Sequence, residues 1–200
     1  MDDSNFNQRL IGLTGGIATG KSTVAAYLHD RHNIPILDAD SYAREAVEIH
    51  SPILTAIADR YGAEILHSDG SLKRGALGEI IFNHPGERAW VESQIHPYVK
   101  RGFQQALSAL RAAPIVVLMI PLLFEAQLTA WVTEIWVVAC DPATQLTRLM
   151  VRNGLTKTQA LARINSQMPL AVKVDRADVV LVNDHTREHL HEQIDQALRK

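Results

Sequence analysis

The fold of this 200-residue chain is decided by the stretch Gly15-Gly16-Ile17-Ala18-Thr19-Gly20-Lys21-Ser22. The stretch matches the phosphate-loop pattern of a glycine, four variable residues and Gly-Lys-Ser. The apolar run Leu10–Thr14 precedes it and a helical pattern over Lys21–Arg31 follows it, which is the setting that the motif requires. Glycines let successive backbone N–H groups surround phosphate oxygens, and the helix N-terminus adds a positive dipole. The sequence therefore predicts a nucleotide-binding loop.

Two side chains of this loop are expected to act directly on the nucleotide. Lys21 can reach the β- and γ-phosphates, and the hydroxyl of Ser22 can ligate Mg²⁺. We therefore expect ATP as the phosphoryl donor and Mg²⁺ as the metal ion, held by Ser22. The residues of the loop that we predict to bind the nucleotide are Gly16, Ala18, Thr19, Gly20, Lys21, Ser22 and Thr23.

Outward from the loop, short apolar runs alternate with helical patterns, which predicts an α/β fold with a five-stranded parallel sheet flanked by helices. The predicted strands are Leu10–Thr14, Ile34–Leu37, Ile115–Ile120, Glu134–Ala139 and Val179–Val182. Helical spacing marks Lys21–Arg31, Pro52–Tyr61, Arg74–Phe82, Glu87–Leu110 and Arg187–Leu198. We predict a single domain with a core (about 9–44, 112–141 and 175–200), a helical insertion (about 45–111) and a lid (about 142–174).

The composition of the chain disfavours several classes of function, including nucleic-acid binding and membrane insertion. The net charge of −2 provides no general attraction for nucleic acid. A single cysteine, Cys140, cannot form an internal disulfide and is expected to be a small buried side chain, as suits a reducing compartment. The polar segment Met1–Arg9 does not resemble a targeting peptide, and the longest apolar run, Ala112–Phe124, is too short to span a membrane. We expect a cytoplasmic protein without nucleic-acid or membrane partners, of undetermined oligomeric state.

Acidic residues follow the second predicted strand, in the segment Asp38-Ala39-Asp40. This places them at the carboxyl edge of the sheet, where ligands bind in open α/β folds. Asp38 can accept the proton of an attacking hydroxyl, as transfer to an alcohol requires. The alternative is that an acid only caps a helix, with Asp40 capping one that starts at Ser41.

The third predicted strand occupies the usual place of a Walker B acid but ends at Pro121, and the next acid is Glu125. This departure disfavours an ordinary P-loop ATPase or GTPase and assigns the acidic role to Asp38.

Basic residues are concentrated in the predicted lid. Arg148 and Arg152 are four positions apart and share one helix face, from which arginine forks could close on phosphate oxygens. Arg163, Lys173 and Arg176 follow them along the chain. The alternative for any one of these residues is a solvated surface position.

Pro97 falls inside the helical pattern of Glu87–Leu110, where it removes a backbone hydrogen bond. The resulting kink could direct His96 and Arg101 toward a cleft. The alternative is a helix boundary without a function.

Taken together, these segments resemble the dephospho-CoA kinase family from Ile11 to the final helix. The resemblance rests on the segment 13–23, Asp38-Ala39-Asp40 with Arg44, Ile95-His96-Pro97, Pro121-Leu122-Leu123-Phe124-Glu125, Gln145-Leu146 with Arg148 and Arg152, Arg163-Ile164 with Gln167, and Ala177-Asp178. It implies a P-loop kinase fold and ATP-dependent phosphorylation of the ribose 3′-hydroxyl of dephospho-CoA, the last step of coenzyme A synthesis. It also implies that Asp38 is the catalytic base and that the insertion receives the acceptor.

With this resemblance, the expected site residues fall into three groups. The catalytic ones are Asp38, Lys21 and Arg148. Arg148 and Asn183 join the loop in nucleotide binding. The acceptor-binding ones are Asp38, Arg44, His96, Arg101 and Arg152. The family often has Asn-Asn-Gly where this chain has Asn183-Asp184-His185, which leaves the adenine contacts of that loop open.

Two other functions compete with this interpretation. A small-molecule kinase of the nucleoside or shikimate type would share Lys21, Ser22 and Asp38 but would not need a long insertion containing His96-Pro97. A nucleotide-dependent switch that signals to a partner is disfavoured by the missing Walker B acid and by the acid after the second strand.

Overall fold

The computed structural model describes residues 8–199. Most of the segment Met1–Arg9, for which we predicted no targeting role, lies outside the described residues, as does Lys200. The chain divides into two compact units. Residues up to Leu37 and from Leu110 onward form one, which we call the sheet unit, and Asp38–Ala109 forms the other, which we call the helical unit.

Five strands form one sheet with the order β2-β3-β1-β4-β5. They are β1 (Arg9–Gly15), β2 (Ile36–Asp38), β3 (Ile115–Met119), β4 (Glu134–Ala139) and β5 (Val179–Val182). The helices are α1 (Lys21–His32), α2 (Ala39–Glu45), α3 (Pro52–Tyr61), α4 (Arg74–Asn83), α5 (Pro85–Ala109), α6 (Pro142–Asn153), α7 (Lys157–Asn165), α8 (Leu170–Asp175) and α9 (Arg187–Leu198). The predicted parallel α/β fold is confirmed.

Strand β1 lies at the centre of the sheet. It pairs in parallel with β3 on one side and with β4 on the other, so that Leu13 lies opposite both Met119 and Trp136. Strand β5 extends the sheet by pairing in parallel with β4. The phosphate loop therefore leaves the middle of the sheet at its carboxyl edge, where ligands bind in folds of this type.

The core of the sheet unit is apolar and continuous. Its fully buried side chains come from β1, α1, β3, β4, β5 and α9, and include Ile11, Leu13, Val24, Leu28, Val117, Trp136, Val138, Leu181, Leu190 and Ile194. Burial of each large apolar side chain contributes about 1.5–3 kcal/mol. This packing fixes β1, and with it the start of the loop.

The second strand begins two residues later than the sequence predicted, at Ile36 instead of Ile34. The reason is the end of α1. Asn33 adopts a left-handed conformation with φ 53°, and the backbone N–H of Ile34 donates to the carbonyl of Leu28 at 3.2 Å. The N–H of Ile34 is therefore used at the C-terminal end of α1 and is not available to the sheet.

Local signals define the helices that follow β4. Helix α6 starts with Pro142 after Asp141, whose carboxylate accepts backbone N–H groups of the first turn, and it stops at Gly154 with φ 62°. Helix α7 starts with a capping box between Thr156 and Gln159. These features satisfy orphan backbone groups at the helix ends. They give the predicted lid segment three separate helices.

The helical unit has a core of its own, which includes Val47, Leu54, Ile57, Ile65, Leu72, Leu77 and Val91. Helix α5 runs unbroken through Pro97, so the alternative of a helix boundary at this residue is wrong. Val99 and Phe103 are buried on the same helix. Across residues 8–199, no helix combines the length and the apolar character needed to cross a membrane.

Gly102 allows α2 to pack closely against α5. A Cβ atom at this position would lie 2.6 Å from Cδ1 and 2.7 Å from Cε1 of Tyr42, whose ring also stacks edge-on against Phe103. We expect Gly102→Ala to lower the free energy of unfolding by about 1–3 kcal/mol, because the added methyl group overpacks this contact.

Gly78→Ala is the matched control, because Gly78 lies inside α4 with nothing within 4 Å of an added Cβ atom. This change should raise stability by about 0.5–1 kcal/mol. Urea unfolding of both variants measures the difference. Equal stabilities would contradict the close approach of Tyr42.

Candidate active site

The phosphate loop has a backbone shaped for anion binding. Ala18 and Gly20 have positive φ angles of 61° and 108°, so two residues of the turn between β1 and α1 are left-handed. Successive N–H groups in such a turn point into one concavity and bind anions. Nζ of Lys21 lies over the loop, 2.7 Å from the carbonyl oxygen of Gly16 and 3.2 Å from that of Gly15. The loop and its lysine therefore occupy the predicted positions.

Helix α1 presents a bare N-terminus to this loop. Its N-cap is Gly20, which has no side chain to cap the helix, and no acid occupies the first turn. Ser22 is exposed there. The positive end of the helix dipole is thus left for a ligand, and phosphate is the ligand that such an end favours.

Each glycine of the loop is required by a different neighbour. A Cβ atom at Gly15 would overlap the carbonyl oxygen of Val138 on β4, and one at Gly16 would lie 2.5 Å from Nε2 of Gln145 on α6. A Cβ atom at Gly20 would overlap the side-chain amide of Asn183, directly after β5. The glycines therefore serve close packing around the loop as well as its turn.

Three amide side chains hold the loop's peptide groups. Oε1 of Gln167 accepts the N–H of Ile17 at 2.9 Å, and Nε2 of Gln145 donates to the carbonyl oxygen of Ile17 at 2.8 Å. Nδ2 of Asn183 donates to the carbonyl oxygen of Thr19 at 2.8 Å. Sequence reasoning gave no role to the two glutamines. Their only signal was their presence in segments that carried the family resemblance.

Arg148 belongs to the same assembly, whereas Arg152 does not. Nη1 of half-buried Arg148 donates to the carbonyl oxygen of Asn183 at 2.9 Å, which links the arginine to the loop through one residue. Arg152 is exposed, and its Nε donates to Oδ1 of the neighbouring Asn153 at 2.9 Å. Arg163 is exposed as well. Of the predicted lid arginines, Arg148 is therefore the one held next to the loop.

Lys173 is a correction to the predicted cluster of phosphate-binding cations. Its side chain is fully buried, forms a 2.8 Å ion pair with Oε1 of Glu125, and donates to the carbonyl oxygen of Pro121 at 3.1 Å. Oε1 of Glu125 also accepts the N–H of Met168 at 3.0 Å. Burial by itself would raise the pKa of Glu125, but the hydrogen bonds from Lys173 and Met168 hold it below its usual value. This pair fastens α8 to the exit of β3.

Cys140, at the end of β4, is buried as predicted. Burial raises the pKa of its thiol, so the thiol is neutral at physiological pH. A neutral buried thiol is a packing residue rather than a nucleophile.

The predicted catalytic base, Asp38, is the last residue of β2 and the N-cap of α2. Its Oδ1 accepts the N–H of Asp40 at 3.0 Å and its Oδ2 accepts the hydroxyl of Ser41 at 3.1 Å. The suggestion that Asp40 caps a helix starting at Ser41 is therefore wrong, because the helix starts at Ala39 and Asp38 caps it. Each carboxylate oxygen keeps a second lone pair for another donor.

The predicted acceptor-binding residues Arg44, His96 and Arg101 are exposed in the helical unit. Arg101 lines a cavity of about 340 Å³ together with Tyr42, Glu45, Tyr98, Gly102, Gln105 and Ala106. Burial, assisted by Glu45 and Tyr98, raises the pKa of Tyr42, so its hydroxyl stays protonated and able to donate. The cavity thus combines an aromatic wall with a guanidinium group.

The residues fit a magnesium ion that is held mainly by its nucleotide. Within residues 8–199, no group of three or more His, Cys, Asp or Glu side chains is arranged to hold a metal ion. Ser22 offers one exposed hydroxyl at the start of α1. Mg²⁺ commonly takes one or two protein ligands and completes its shell with phosphate oxygens and water. This is the ligand set that an ion at Ser22 would have.

Comparison with known proteins identifies a family whose members are similar to this chain. The family model for dephospho-CoA kinase (CoaE) matches residues 9–189. A dephospho-CoA kinase from Synechocystis sp. is 63% identical over 194 residues, which cover 97% of this chain and 96% of the relative. The crystal structure of TT1252 from Thermus thermophilus has a TM-score of 0.83 at 36% identity, covering 96% of this chain and 97% of that one. Dephospho-CoA kinase from Campylobacter jejuni shares the fold, with a TM-score of 0.70 at 23% identity and 95% coverage of both chains.

The Glu125–Lys173 ion pair yields a stability prediction. We expect Lys173→Met to lower the free energy of unfolding at pH 7 by about 3–5 kcal/mol, because it leaves a largely buried carboxylate without its cation. Because the pKa of Glu125 is lowered in the folded protein, the pair's contribution is present above the unfolded pKa of about 4.3 and is lost as the pH falls through the folded value. The difference between parent and variant should therefore shrink below about pH 4.

Arg88→Met is the control, because Arg88 and Glu92 form an ion pair of similar length, 2.8 Å, with both side chains at least 40% exposed. It should change stability by less than about 1 kcal/mol. Urea unfolding at pH 7 and at about pH 3 distinguishes the two sites. Equal losses in both variants would show that the buried pair does not hold α8.

Proposed function

The chain belongs to the dephospho-CoA kinase family, and we propose that it transfers the γ-phosphate of ATP to the ribose 3′-hydroxyl of dephospho-CoA. In this reaction a bond forms between the hydroxyl oxygen and the γ-phosphorus, and the bond from the γ-phosphorus to the bridging oxygen of ADP breaks. The products are coenzyme A and ADP. The observation that carries the proposal is the family match over residues 9–189 of a chain whose phosphate loop is formed.

The sheet unit binds the donor in this proposal. The residues from Gly16 to Thr23 surround the phosphates, and Lys21 exchanges its contacts with the loop carbonyls for the β- and γ-phosphates. Arg148 neutralises charge that develops on the transferred group, with Asn183 setting its position. Mg²⁺, bound at Ser22, would supply further charge neutralisation on the phosphate oxygens.

Asp38 accepts the proton of the 3′-hydroxyl. Two observations support this assignment: Asp38 ends a strand of the sheet whose carboxyl edge carries the loop, and each of its oxygens has a lone pair left for a new donor. A positioned carboxylate that removes the hydroxyl proton accelerates such a transfer by about 10²–10⁴-fold.

The acceptor is bound by the helical unit, through Arg44, His96 and Arg101. The guanidinium of Arg101 and the protonated hydroxyl of Tyr42 line one cavity, and both can donate to phosphate or ribose oxygens. Arg152, on the proposed lid segment 142–174, is the remaining residue that we assign to acceptor binding. A cytoplasmic location, with no nucleic-acid or membrane partner, completes the proposal and agrees with the net charge of −2 and the single free cysteine.

The decisive experiment incubates the protein with ATP and Mg²⁺ and varies the acceptor. We expect ADP to form only with dephospho-CoA, with coenzyme A produced in equal amount. Shikimate and nucleosides are the control acceptors and should give no product. Equal ATP hydrolysis with and without dephospho-CoA would favour a nucleotide switch, and turnover of a control acceptor would favour another kinase class.

Asp38→Asn tests the catalytic base. Asparagine caps helices as well as aspartate does, so α2 should remain intact while the basic carboxylate is lost. We expect turnover to fall by about 10²–10⁴-fold with little change in ATP affinity, measured by coenzyme A formation and by calorimetry. Asp40→Asn is the control, and its turnover should stay within about threefold of the parent's. Asp40 lies two residues after Asp38 and is exposed.

A titration with Mg²⁺ separates the two roles open to Asp38. If Asp38 accepts the proton, excess Mg²⁺ will not restore turnover to Asp38→Asn. If Asp38 only binds the metal, excess Mg²⁺ will restore it and the assignment of the base will be wrong. Normal turnover of Asp38→Asn at ordinary Mg²⁺ would also exclude the proposed base.

A further inference from the structure

The peptide groups of Ile17 in the phosphate loop are held on both sides by side chains. Its N–H donates to Oε1 of Gln167 at 2.9 Å, and its carbonyl oxygen accepts from Nε2 of Gln145 at 2.8 Å. Gln145 is only 5% exposed, so its hydrogen bond is shielded from water. Both bonds are short and link the loop to residues more than a hundred positions away along the chain.

The residue that follows Ile17 explains why such support is needed. Ala18 has a φ of 61°, and the left-handed conformation costs a residue other than glycine about 1–2 kcal/mol. Strained conformations of this kind persist where the surrounding structure fixes them. The two glutamines fix the peptide groups directly before Ala18, and this turn begins the concavity in which phosphate binds.

We propose that Gln145 and Gln167 are positioning residues for phosphoryl transfer, which hold the Ile17 peptide groups and thereby keep the loop in its phosphate-binding conformation. Neither side chain needs to contact the nucleotide for this role. The inference rests on the proposed function, because it names two further residues that prepare the same site.

The position of Gln145 also connects the loop to Arg148. The two residues are three apart on α6 and therefore share a helix face. Gln145 donates to the loop at Ile17, while Arg148 donates to Asn183, whose amide holds the loop at Thr19. Helix α6 is thus attached near the loop at two points, through Gln145 and through Arg148. Loss of the bond from Gln145 would disturb the loop and would also remove one of these two attachments, which together set the distance between Arg148 and the loop.

Neighbouring residues define the positions of both glutamines: Gly16 leaves space for Gln145, and Glu125 holds the segment that carries Gln167. A Cβ atom at residue 16 would lie only 2.5 Å from Nε2 of Gln145, so the absence of a side chain at Gly16 leaves room for this approach. Gln167 precedes Met168, whose N–H is held by Oε1 of Glu125 at 3.0 Å. Glu125 is itself paired with buried Lys173. The oxygen that accepts the N–H of Ile17 thus belongs to a segment fastened to the exit of β3.

The test compares four variants with opposite hydrogen-bonding capacity. Gln145→Met and Gln167→Met keep the side-chain length and remove the hydrogen bond. Gln167→Glu keeps an acceptor for the N–H of Ile17, whereas Gln145→Glu places a carboxylate against the carbonyl oxygen of Ile17. The two glutamate variants add the same charge beside the same residue, Ile17, so they form a matched pair.

We expect each methionine variant to raise the Kd for ATP by about 10-fold, measured by calorimetry with the full chain, since a hydrogen bond in a shielded site has roughly this effect. The KM for dephospho-CoA should stay within twofold. Gln167→Glu should bind ATP at least fivefold more tightly than Gln145→Glu. Thermal unfolding of the four variants in the absence of ATP should fall within a few degrees of the parent.

Equal ATP affinities for Gln145→Glu and Gln167→Glu would overturn the inference, because charge alone would then explain the effect. Parental ATP affinity in both methionine variants would overturn it as well. A parallel rise in KM for both substrates would instead assign the glutamines a general folding role. Because ATP binding is measured by calorimetry without an acceptor, the two outcomes that concern ATP affinity are independent of whether the parent protein forms coenzyme A.

Discussion

The structure depends on one constraint: a short backbone loop must turn its N–H groups toward an anion instead of pairing them with the protein. Backbone groups that lose water need partners, so the remaining peptide groups of the loop require hydrogen bonds from elsewhere. Gln145, Gln167 and Asn183 supply them, and each donates or accepts at a peptide group beside the left-handed residues Ala18 and Gly20. A Cβ atom at Gly16 or Gly20 would meet one of these amides, so a side chain there would displace the amide from the backbone that it holds. The phosphate loop is therefore a tertiary structure as much as a sequence motif.

The sheet order explains where these partners come from. After β1 the chain forms β2 and β3 on one side of the central strand, and then β4 and β5 on the other side. The loop after β1 thus lies at the point where the strand order reverses, and residues that follow strands on both sides meet around it. Lys173 and Glu125 secure the β3 side, and Asn183 secures the β5 side. A site in this position can be built from segments that are far apart in the sequence.

The sequence predicted what depends on local patterns and missed what depends on long-range contacts. Strands β4 and β5 and helix α9 match their predicted bounds because apolar periodicity and caps are local signals. The late start of β2 was missed because Ile34 contributes to the end of α1. The suggested helix at Ser41 was placed two residues too late, because α2 starts at Ala39 and its cap is Asp38 rather than Asp40. Lys173 looked like a phosphate-binding cation because sequence spacing does not reveal burial. The amide contacts of Gln145 and Gln167 were beyond sequence reasoning, since each joins residues more than a hundred positions apart.

The ion pair at the β3 exit bears on which acid can accept a proton. Glu125 follows the strand that carries an acid in many P-loop proteins, but its Oε1 already accepts two hydrogen bonds, one of them from a buried ammonium group. These bonds hold its pKa below the usual range, which weakens it as a proton acceptor. Separation of Glu125 from Lys173 would also leave a buried charge unpaired, at a cost of several kcal/mol. Asp38 instead accepts its hydrogen bonds from a backbone N–H and a hydroxyl, each at one of its two oxygens. Because Glu125 is held in this structural ion pair, Asp38 is the better candidate for the residue that accepts the hydroxyl proton.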